Sequence, residues 1–215
     1  MEKKLLDLIR PLLIAAMFAL GLGAAIAGPL DDGEAAFGRK DYSAALEILR
    51  PLAERGDAKG QKRLGYMYQK GLGVSLDYEE AVKWYRLAAD QGDAEGQVLL
   101  GTMYGYGYGV AKDDTESVKW FRLAAMQGSE GAKVFAHYLL GSAYRLGRGI
   151  DKDEVLAYMW FTLWFAESLE RSDHTAQDAA LKELKAIAVG MTRPQIAQAQ
   201  EMATKCKASE YKNCD

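Results

Sequence analysis

The stretch LGYMYQKGLGVSLDYEEAVKWYRLAADQ, residues Leu64–Gln91, recurs twice further along this chain of 215 residues. The second copy follows after 36 residues and the third after a further 40, so four extra residues lie between Gly128 and Gly141. The repeat-defining positions of the three copies are Gly65, Gly71, Gly73 and Trp84, then Gly101, Gly107, Gly109 and Trp120, then Gly141, Gly147, Gly149 and Trp160. A fixed period of this length is typical of a stacked repeat protein, in which each unit needs its neighbours to bury its apolar face.

Each copy contains two helical patterns. In the second pattern, apolar residues recur at the spacing of one helix face: Ala81, Trp84, Tyr85, Ala88 and Ala89. The first pattern ends at Gly71, which can adopt the positive φ of a helix C-terminus, and Gly73 permits another sharp turn before Asp77 caps the next helix. We expect Gly65 and its equivalents to lie where two helices approach closely.

The pattern LGxxYxxGxGVxxDxxxAxxWYxxAAxQGDAxxQ over Leu64–Gln97 resembles the Sel1-like repeat (SLR) family, relatives of the tetratricopeptide repeats. The resemblance covers residues 33–168, and Met191–Gln200 is similar to the closing segment of bacterial members. It implies an all-α fold, a right-handed α-solenoid of antiparallel helix pairs with a C-terminal helical cap. The chain departs from the family at the four-residue insertion and at Trp164 and Phe165, where the family prefers alanines. These bulky residues predict that the last repeat helix packs against a different, C-terminal cap.

The repeat register divides the chain into six segments: a signal peptide at 1–27, a leading helix pair at 28–57, repeat 1 at 58–92, repeat 2 at 93–128, repeat 3 with its insertion at 129–168, and capping helices with a cysteine-bearing tail at 169–215. In the last segment the polar run SLERSDHTAQ, which contains His174, predicts a loop. A helix over Ala179–Val189 and a capping box at Thr192 and Gln195 predict a closing helical hairpin.

The N-terminus has the features of a secretory signal peptide. Lys3, Lys4 and Arg10 precede the uncharged apolar run Leu12–Ala27, which closes on a small-x-small cleavage pattern. The alternative is an uncleaved membrane anchor, although this run is shorter than the ~20 residues that span a bilayer. We therefore expect a periplasmic or secreted protein without a transmembrane segment after cleavage.

Charge argues against nucleic acid as a partner. The formal net charge is −3, and removal of the three cations and two anions of residues 1–27 would make it −4. Nucleic-acid binding requires a basic stripe or patch, which this sequence does not present.

Cys206 and Cys214 are the only cysteines, and they lie eight residues apart near the end of the chain. In one continuous helix they would be about 12 Å apart, whereas a disulfide requires Cα atoms within roughly 4.4–6.8 Å. If they pair, the helix must end between them. An even cysteine count in an exported chain favours a disulfide, with a pair of free thiols as the alternative.

The sequence predicts no catalytic residue, metal site or cofactor. His137 and His174 are the only histidines, and neither has a second ligand at metal-binding spacing. Ser209 and Lys212 form a Ser-x-x-Lys pattern, but the accompanying motifs of serine penicillin-recognising enzymes are absent.

With no catalytic or metal site predicted, the surface of the repeats is the candidate functional region. The family resemblance implies a protein partner bound along a groove lined by the first helix of each unit. Residues that differ between copies at groove positions are the candidates for partner binding: Arg63, Tyr66, Lys70, Tyr106, Tyr108 and Arg145. The alternative is that these are ordinary solvated positions. We expect a monomeric, non-catalytic adaptor or scaffold of the cell envelope. The alternative functions are a secreted factor that binds a host protein and a hydrolase acting on β-lactams or the cell wall.

Overall fold

The computed structural model describes residues 28–127, 130–212 and 214, so the predicted signal peptide lies outside the described residues. Within these residues the chain forms ten α-helices and no strand. In chain order they are α1 (Pro29–Gly38), α2 (Tyr42–Glu54), α3 (Ala58–Lys70), α4 (Tyr78–Asp90), α5 (Ala94–Tyr106), α6 (Asp114–Gln127), α7 (Glu130–Leu146), α8 (Glu154–Glu170), α9 (His174–Ala188) and α10 (Arg193–Ala208).

The first eight helices form four successive pairs. The two helices of each pair pack on one another, and the second helix of each pair packs on the first helix of the next. The first helices α5 and α7 are also in contact with each other. Each unit therefore touches only its neighbours, as the predicted α-solenoid requires.

The glycines at 65, 101 and 141 lie at the crossing of the two helices in each unit. A Cβ added to Gly65 would come within 2.7 Å of the Tyr85 ring, and Gly101 and Gly141 face Phe121 and Phe161 at the same distance. Real Cβ atoms do not approach other atoms so closely, so these positions require glycine in the present packing. The predicted packing role is confirmed.

The loop inside each unit is built by glycine and aspartate, as expected. Gly71 ends α3 in the left-handed conformation, with φ of 65°, and the Asp77 carboxylate accepts the backbone N–H of Glu80 at 3.0 Å to cap α4. Gly73 has φ of 70°, and a Cβ there would lie 2.8 Å from the carbonyl oxygen of Tyr42 in the preceding unit. The second loop glycine thus sets the spacing between units as well as the turn.

An arginine on each of the second helices α2, α4 and α6 donates a hydrogen bond to a tyrosine hydroxyl on the next first helix. The three pairs are Arg50 with Tyr68 (3.4 Å), Arg86 with Tyr104, and Arg122 with Tyr144 (2.6 Å). The partners are 18, 18 and 22 residues apart, so the bond is retained in spite of the insertion.

The four-residue insertion is one additional helical turn. Helix α7 has 17 residues, whereas its equivalent α5 has 13. Its partner α8 also has 17 residues, against 14 in α6, and continues past the tryptophan at the repeat position. The N-terminus of α7 and the C-terminus of α8 lie at the same end of this helix pair, so both helices are extended toward the C-terminal cap.

The cap differs from the predicted helical hairpin. Helices α9 and α10 both pack on α8 and make little contact with each other, so α8 lies between them. Trp164 of α8 is buried in a core cluster that includes residues of α9 and α10, and its ring lies 4.8 Å from that of Tyr138 on α7. The predicted loop is also shorter than expected, because α8 continues to Glu170 and His174 begins α9.

Cys206 and Cys214 form a disulfide, with their Cα atoms 4.6 Å apart. Helix α10 ends at Ala208, between the two cysteines, as pairing requires. Glu210 and Tyr211 then adopt positive φ values of 54° and 64°, which turn the chain back toward the array.

Within the described residues, none of the helices combines the length and apolar character needed to cross a bilayer.

Candidate functional site

The first helices α3, α5 and α7 line two adjoining cavities, which together we call the groove. The first cavity has a volume of about 310 Å³ and lies among all three helices. The second has a volume of about 300 Å³ and lies mainly between α5 and α7, with the start of α6 at its edge. Phe135 of α7 lines both cavities.

Ion pairs join the first helices at the N-terminal end of the groove. The guanidinium of Arg63 on α3 binds the carboxylate of Glu34 on α1 through two nitrogens, one at 2.7 Å, and lies 4.4 Å from the centre of the Phe37 ring. Lys62 on α3 pairs with Glu95 on α5. Both cations at the first cavity are therefore neutralised by carboxylates of neighbouring helices.

The second cavity is mainly apolar and aromatic. Phe135 stacks on Tyr138 with ring centres 6.1 Å apart and leaves 48% of its surface exposed. Tyr106 of α5 also lines this cavity and is 67% exposed. Leu146 also lines this cavity and is exposed.

Tyr106 is the outer ring of a stack of three tyrosines. Its ring lies 5.5 Å from that of Tyr108, which in turn stacks on Tyr78 at 5.1 Å. The equivalents of Tyr106 and Tyr108 in repeat 1 are Lys70 and Leu72, so repeat 2 alone among the three repeats presents this stack. Because Tyr78 is anchored at the start of α4, the stack holds Tyr106 at the edge of the groove.

Three of the six predicted partner-binding residues line the groove. Arg63 and Tyr66 line the first cavity, and Tyr106 lines the second. Lys70 is exposed beside them, with its ammonium group 5.9 Å from the Tyr66 ring. Tyr108 supports Tyr106 from behind in the stack.

Arg145 is placed differently, because its guanidinium forms an ion pair with Glu183 of α9. Its visible role is to attach the cap to the last repeat. Its predicted part in partner binding stays a prediction, as do those of the other five residues.

The sequence model of the Sel1 repeat matches residues 14–57, 58–93, 94–129 and 134–166, more than half of the chain. This chain belongs to the Sel1 repeat family. The predicted resemblance is thereby confirmed, and the first match begins inside the segment expected to be the signal peptide.

Two solved structures place the Sel1 array among known folds. The chain is similar to a Sel1 repeat protein from Oxalobacter formigenes, with 28% identity, a TM-score of 0.56 and coverage of 83% of this chain and 80% of that one. It is also similar to c5321, described as a protective antigen present in uropathogenic Escherichia coli strains displaying an SLR fold. That likeness has 24% identity and a TM-score of 0.53, and it covers 87% of this chain and 47% of c5321. A search of curated proteins finds no significant match.

Sequence reasoning did not single out two residues of the groove in this Sel1 array, Phe135 and Arg148. Both line the second cavity. Phe135 occupies the position of Glu95 in the preceding copy, but only an offset of 40 residues brings the two into register. A comparison of the copies across the insertion would have found it.

His137 of the third Sel1 repeat is a buried polar residue without a hydrogen-bond partner among the described residues. Its side chain is fully buried between the rings of Trp160 (5.5 Å) and Tyr211 (5.1 Å), and neither ring nitrogen reaches a hydrogen-bond partner within the described residues. Burial lowers the pKa of His137 to about 3, with smaller contributions from the positive charges of Lys133 and Lys207. The imidazole is therefore neutral at ordinary pH.

The described residues contain no group of three histidine, cysteine or carboxylate side chains arranged to hold a metal ion. The Ser-x-x-Lys pattern falls in the turn that ends α10. There the Ser209 hydroxyl donates to the carbonyl of Cys206 at 2.8 Å, and the Lys212 ammonium pairs with Glu210 at 3.2 Å. The serine caps the helix end in this geometry.

Proposed function

We propose that this Sel1 repeat protein is a non-catalytic adaptor or scaffold of the cell envelope, and that it binds a protein partner along the groove. The observation that carries the proposal is the groove itself, which the first helices of three successive units line and in which α5 and α7 present the exposed aromatic side chains of Tyr106 and Phe135. Contiguous exposed apolar surface of this kind marks an interaction site.

Sel1 repeats are associated with protein–protein interaction, and the chemistry of the groove agrees with that use. Its aromatic and aliphatic walls suit the side chains of another protein, and its cations are paired with carboxylates, apart from Arg148. Ion pairs at the rim of an interface contribute more to specificity and rate of association than to affinity.

Two observations support an extracytoplasmic location for the adaptor. The N-terminal 27 residues have the composition of a signal peptide. The Cys206–Cys214 disulfide is of a kind that persists in oxidising compartments such as the periplasm.

The proposal can be tested by formaldehyde crosslinking of the tagged full-length protein in intact cells of its source, followed by mass spectrometry of envelope and medium fractions. We expect one reproducible envelope protein, captured by the wild type and lost when Tyr66, Tyr106 and Phe135 are all changed to alanine. The control is Leu87→Ala on α4, outside the groove, where the exposed fraction is 47%. It should capture the partner normally.

Two outcomes would contradict the adaptor. Equal capture by the triple variant would mean that the partner binds elsewhere. Accumulation of the protein in the medium, without an envelope partner, would favour the alternative of a secreted factor with an external target.

A further inference from the structure

The contact line between α5 and α7, which we call the seam, departs from the pattern of the preceding repeat. Between α3 and α5 the corresponding contact is the ion pair of Lys62 and Glu95. The repeat register places Val98 at the position of Lys62, 36 residues on, and Phe135 at the position of Glu95, 40 residues on. A salt bridge in one unit is therefore an apolar pair in the next.

This replacement leaves apolar surface in water. Val98 is buried, but Phe135 remains 48% exposed, although its position accepts a charged residue in the preceding copy. Fold requirements thus do not explain the phenylalanine. Burial of apolar surface by a partner contributes about 25 cal/mol per Å² to binding. An exposed phenylalanine ring that the fold does not require is therefore suited to an interface.

Exposed apolar side chains are concentrated at this seam. Ten large apolar residues are exposed among the described residues, and three of them line the second cavity: Phe135, Tyr106 and Leu146. They come from both sides of the seam, so a single bound segment can contact all three.

The charged residues of the second cavity indicate which polar group the partner carries beside its apolar side chain. The charged residues of the second cavity are Asp114 and Arg148. Asp114 pairs with Lys112 at 2.9 Å, whereas no carboxylate of the described residues lies within ion-pair distance of Arg148. Arg148 is therefore an exposed positive charge at this cavity without an ion-pair partner among the described residues, in a protein of net charge −3. An arginine in this setting favours a carboxylate ligand.

We propose that the seam binds an extended, acidic peptide segment of a protein partner. A bulky apolar side chain of the segment contacts Phe135, and an aspartate or glutamate contacts Arg148. This inference rests on the adaptor function proposed above and names the chemistry of its partner.

A phage-displayed library of random twelve-residue peptides, selected on the purified, oxidised protein, tests this proposal. We expect the recovered peptides to share a bulky apolar residue and at least one acidic residue. The key variant is V98K/F135E, which places at the seam the charged pair of the preceding repeat; circular dichroism checks that it folds, because Val98 is buried. It should bind the recovered peptides roughly tenfold more weakly or worse, as expected for loss of a central aromatic anchor.

Two further variants separate the parts of the proposal. Arg148→Glu should change the selected sequences from acidic to basic, because it reverses the charge of the cavity. Phe135→Ser should weaken binding at an exposed position where the substitution leaves the fold intact, which circular dichroism can verify. Leu87→Ala should bind every peptide like the wild type.

The proposal is overturned if no peptide is recovered, if the peptides bind V98K/F135E as well as the wild type, or if acidic residues remain enriched on Arg148→Glu. It is also overturned if light scattering shows a dimer that V98K/F135E dissociates, since the seam would then bind a second copy. If the groove captures a partner in cells but the selected peptides bind V98K/F135E as well as the wild type, this inference is overturned and the adaptor function is still supported.

Discussion

At the scale of single residues, the second glycine of each loop combines two requirements. Gly109 has φ of 67°, which only glycine adopts without strain, and a Cβ on it would overlap the carbonyl group of Tyr78 in the preceding unit. Gly149 is placed in the same way against Asp114. One added methyl group would therefore disturb the turn and the contact between units together.

We predict that Gly109→Ala lowers the free energy of unfolding by roughly 2–3 kcal/mol, because strain and overlap combine. The matched control is Gly38→Ala in α1, where no atom lies within 4 Å of the added carbon. Its effect should stay within about 0.5 kcal/mol. Urea unfolding of both variants checks this, and similar effects of the two substitutions would contradict the account of the loop.

His137 makes stability depend on pH. Its pKa is about 3 in the folded protein, below the ordinary value of 6.5, so the unfolded chain binds a proton that the folded protein does not. The contribution of His137 to stability is therefore present above about pH 6.5 and is lost progressively as the pH decreases from there toward the folded pKa. The charged groups around the ring cannot offset this loss, since Lys133 and Lys207 disfavour protonation and Glu167 accepts a hydrogen bond from Tyr211.

We predict that the wild type loses about 2 kcal/mol more stability than His137→Gln when the pH is lowered from about 7 to about 5. Glutamine is the residue at this position in repeats 1 and 2, as Gln61 and Gln97. Urea unfolding of both proteins at the two pH values isolates the contribution of His137, because all other groups titrate equally. Parallel pH profiles would show that the imidazole is hydrated and protonates freely.

At the scale of elements, the disulfide joins the tail that follows α10 to the last turn of that helix. It holds Tyr211 in a turn where this ring covers His137 and its hydroxyl donates to Glu167 on α8. The ammonium of Lys207 on α10 also pairs with Glu170 at the end of α8, at 2.6 Å. The tail thus covers the end of the third repeat at which α7 and α8 extend beyond their equivalents in the preceding repeat.

Reduction of the disulfide should therefore destabilise the protein by about 2.5 kcal/mol, the chain-entropy value for so small a loop. Hydrogen exchange should increase first in the C-terminal turn of α10 and in the tail, with α3 and α4 unchanged. The control is dithiothreitol on C206A/C214A, which should have no effect. Unchanged protection of the tail after reduction would mean that packing alone holds it.

The elements show how far the sequence specifies the fold. The ends of α3, α4 and α5 follow from glycines and aspartates, whose backbone and capping preferences are local, and the cysteine pair correctly required a helix end before Cys214. The arrangement of α9 and α10 on either side of α8 depends on contacts distant in sequence, so the amphipathic patterns wrongly indicated a hairpin. The polar composition around His174 was likewise compatible with either a loop or the start of a helix.

The candidate site was less predictable than the fold. The repeat pattern identifies which residues belong to the groove. Whether the side chain of such a residue is already paired with another residue of the protein depends on the neighbouring helices. Arg63 and Arg145 each pair with a glutamate of an adjacent helix, and nothing in the local pattern indicates those partners. The exposed ring of Phe135 becomes visible only when the register across the insertion is known.

At the scale of the whole molecule, the array is a row of equivalent helix pairs with one exceptional seam. Successive first helices are joined by charge at three places, α1 to α3, α3 to α5 and α7 to α9. Between α5 and α7 no ion pair of the described residues replaces them, and aromatic side chains are exposed instead. The middle of the solenoid is therefore the part of the surface that is best suited to receive another protein.

Site-specific photocrosslinking in intact cells tests this account most directly. A photoreactive amino acid is introduced in place of Phe135 on α7 or, as the control, in place of Leu87 on α4, which have exposed fractions of 48% and 47%. We predict that position 135 crosslinks to one protein partner and that position 87 does not. A partner captured from position 87 and not from position 135 would show that the groove is not the binding surface.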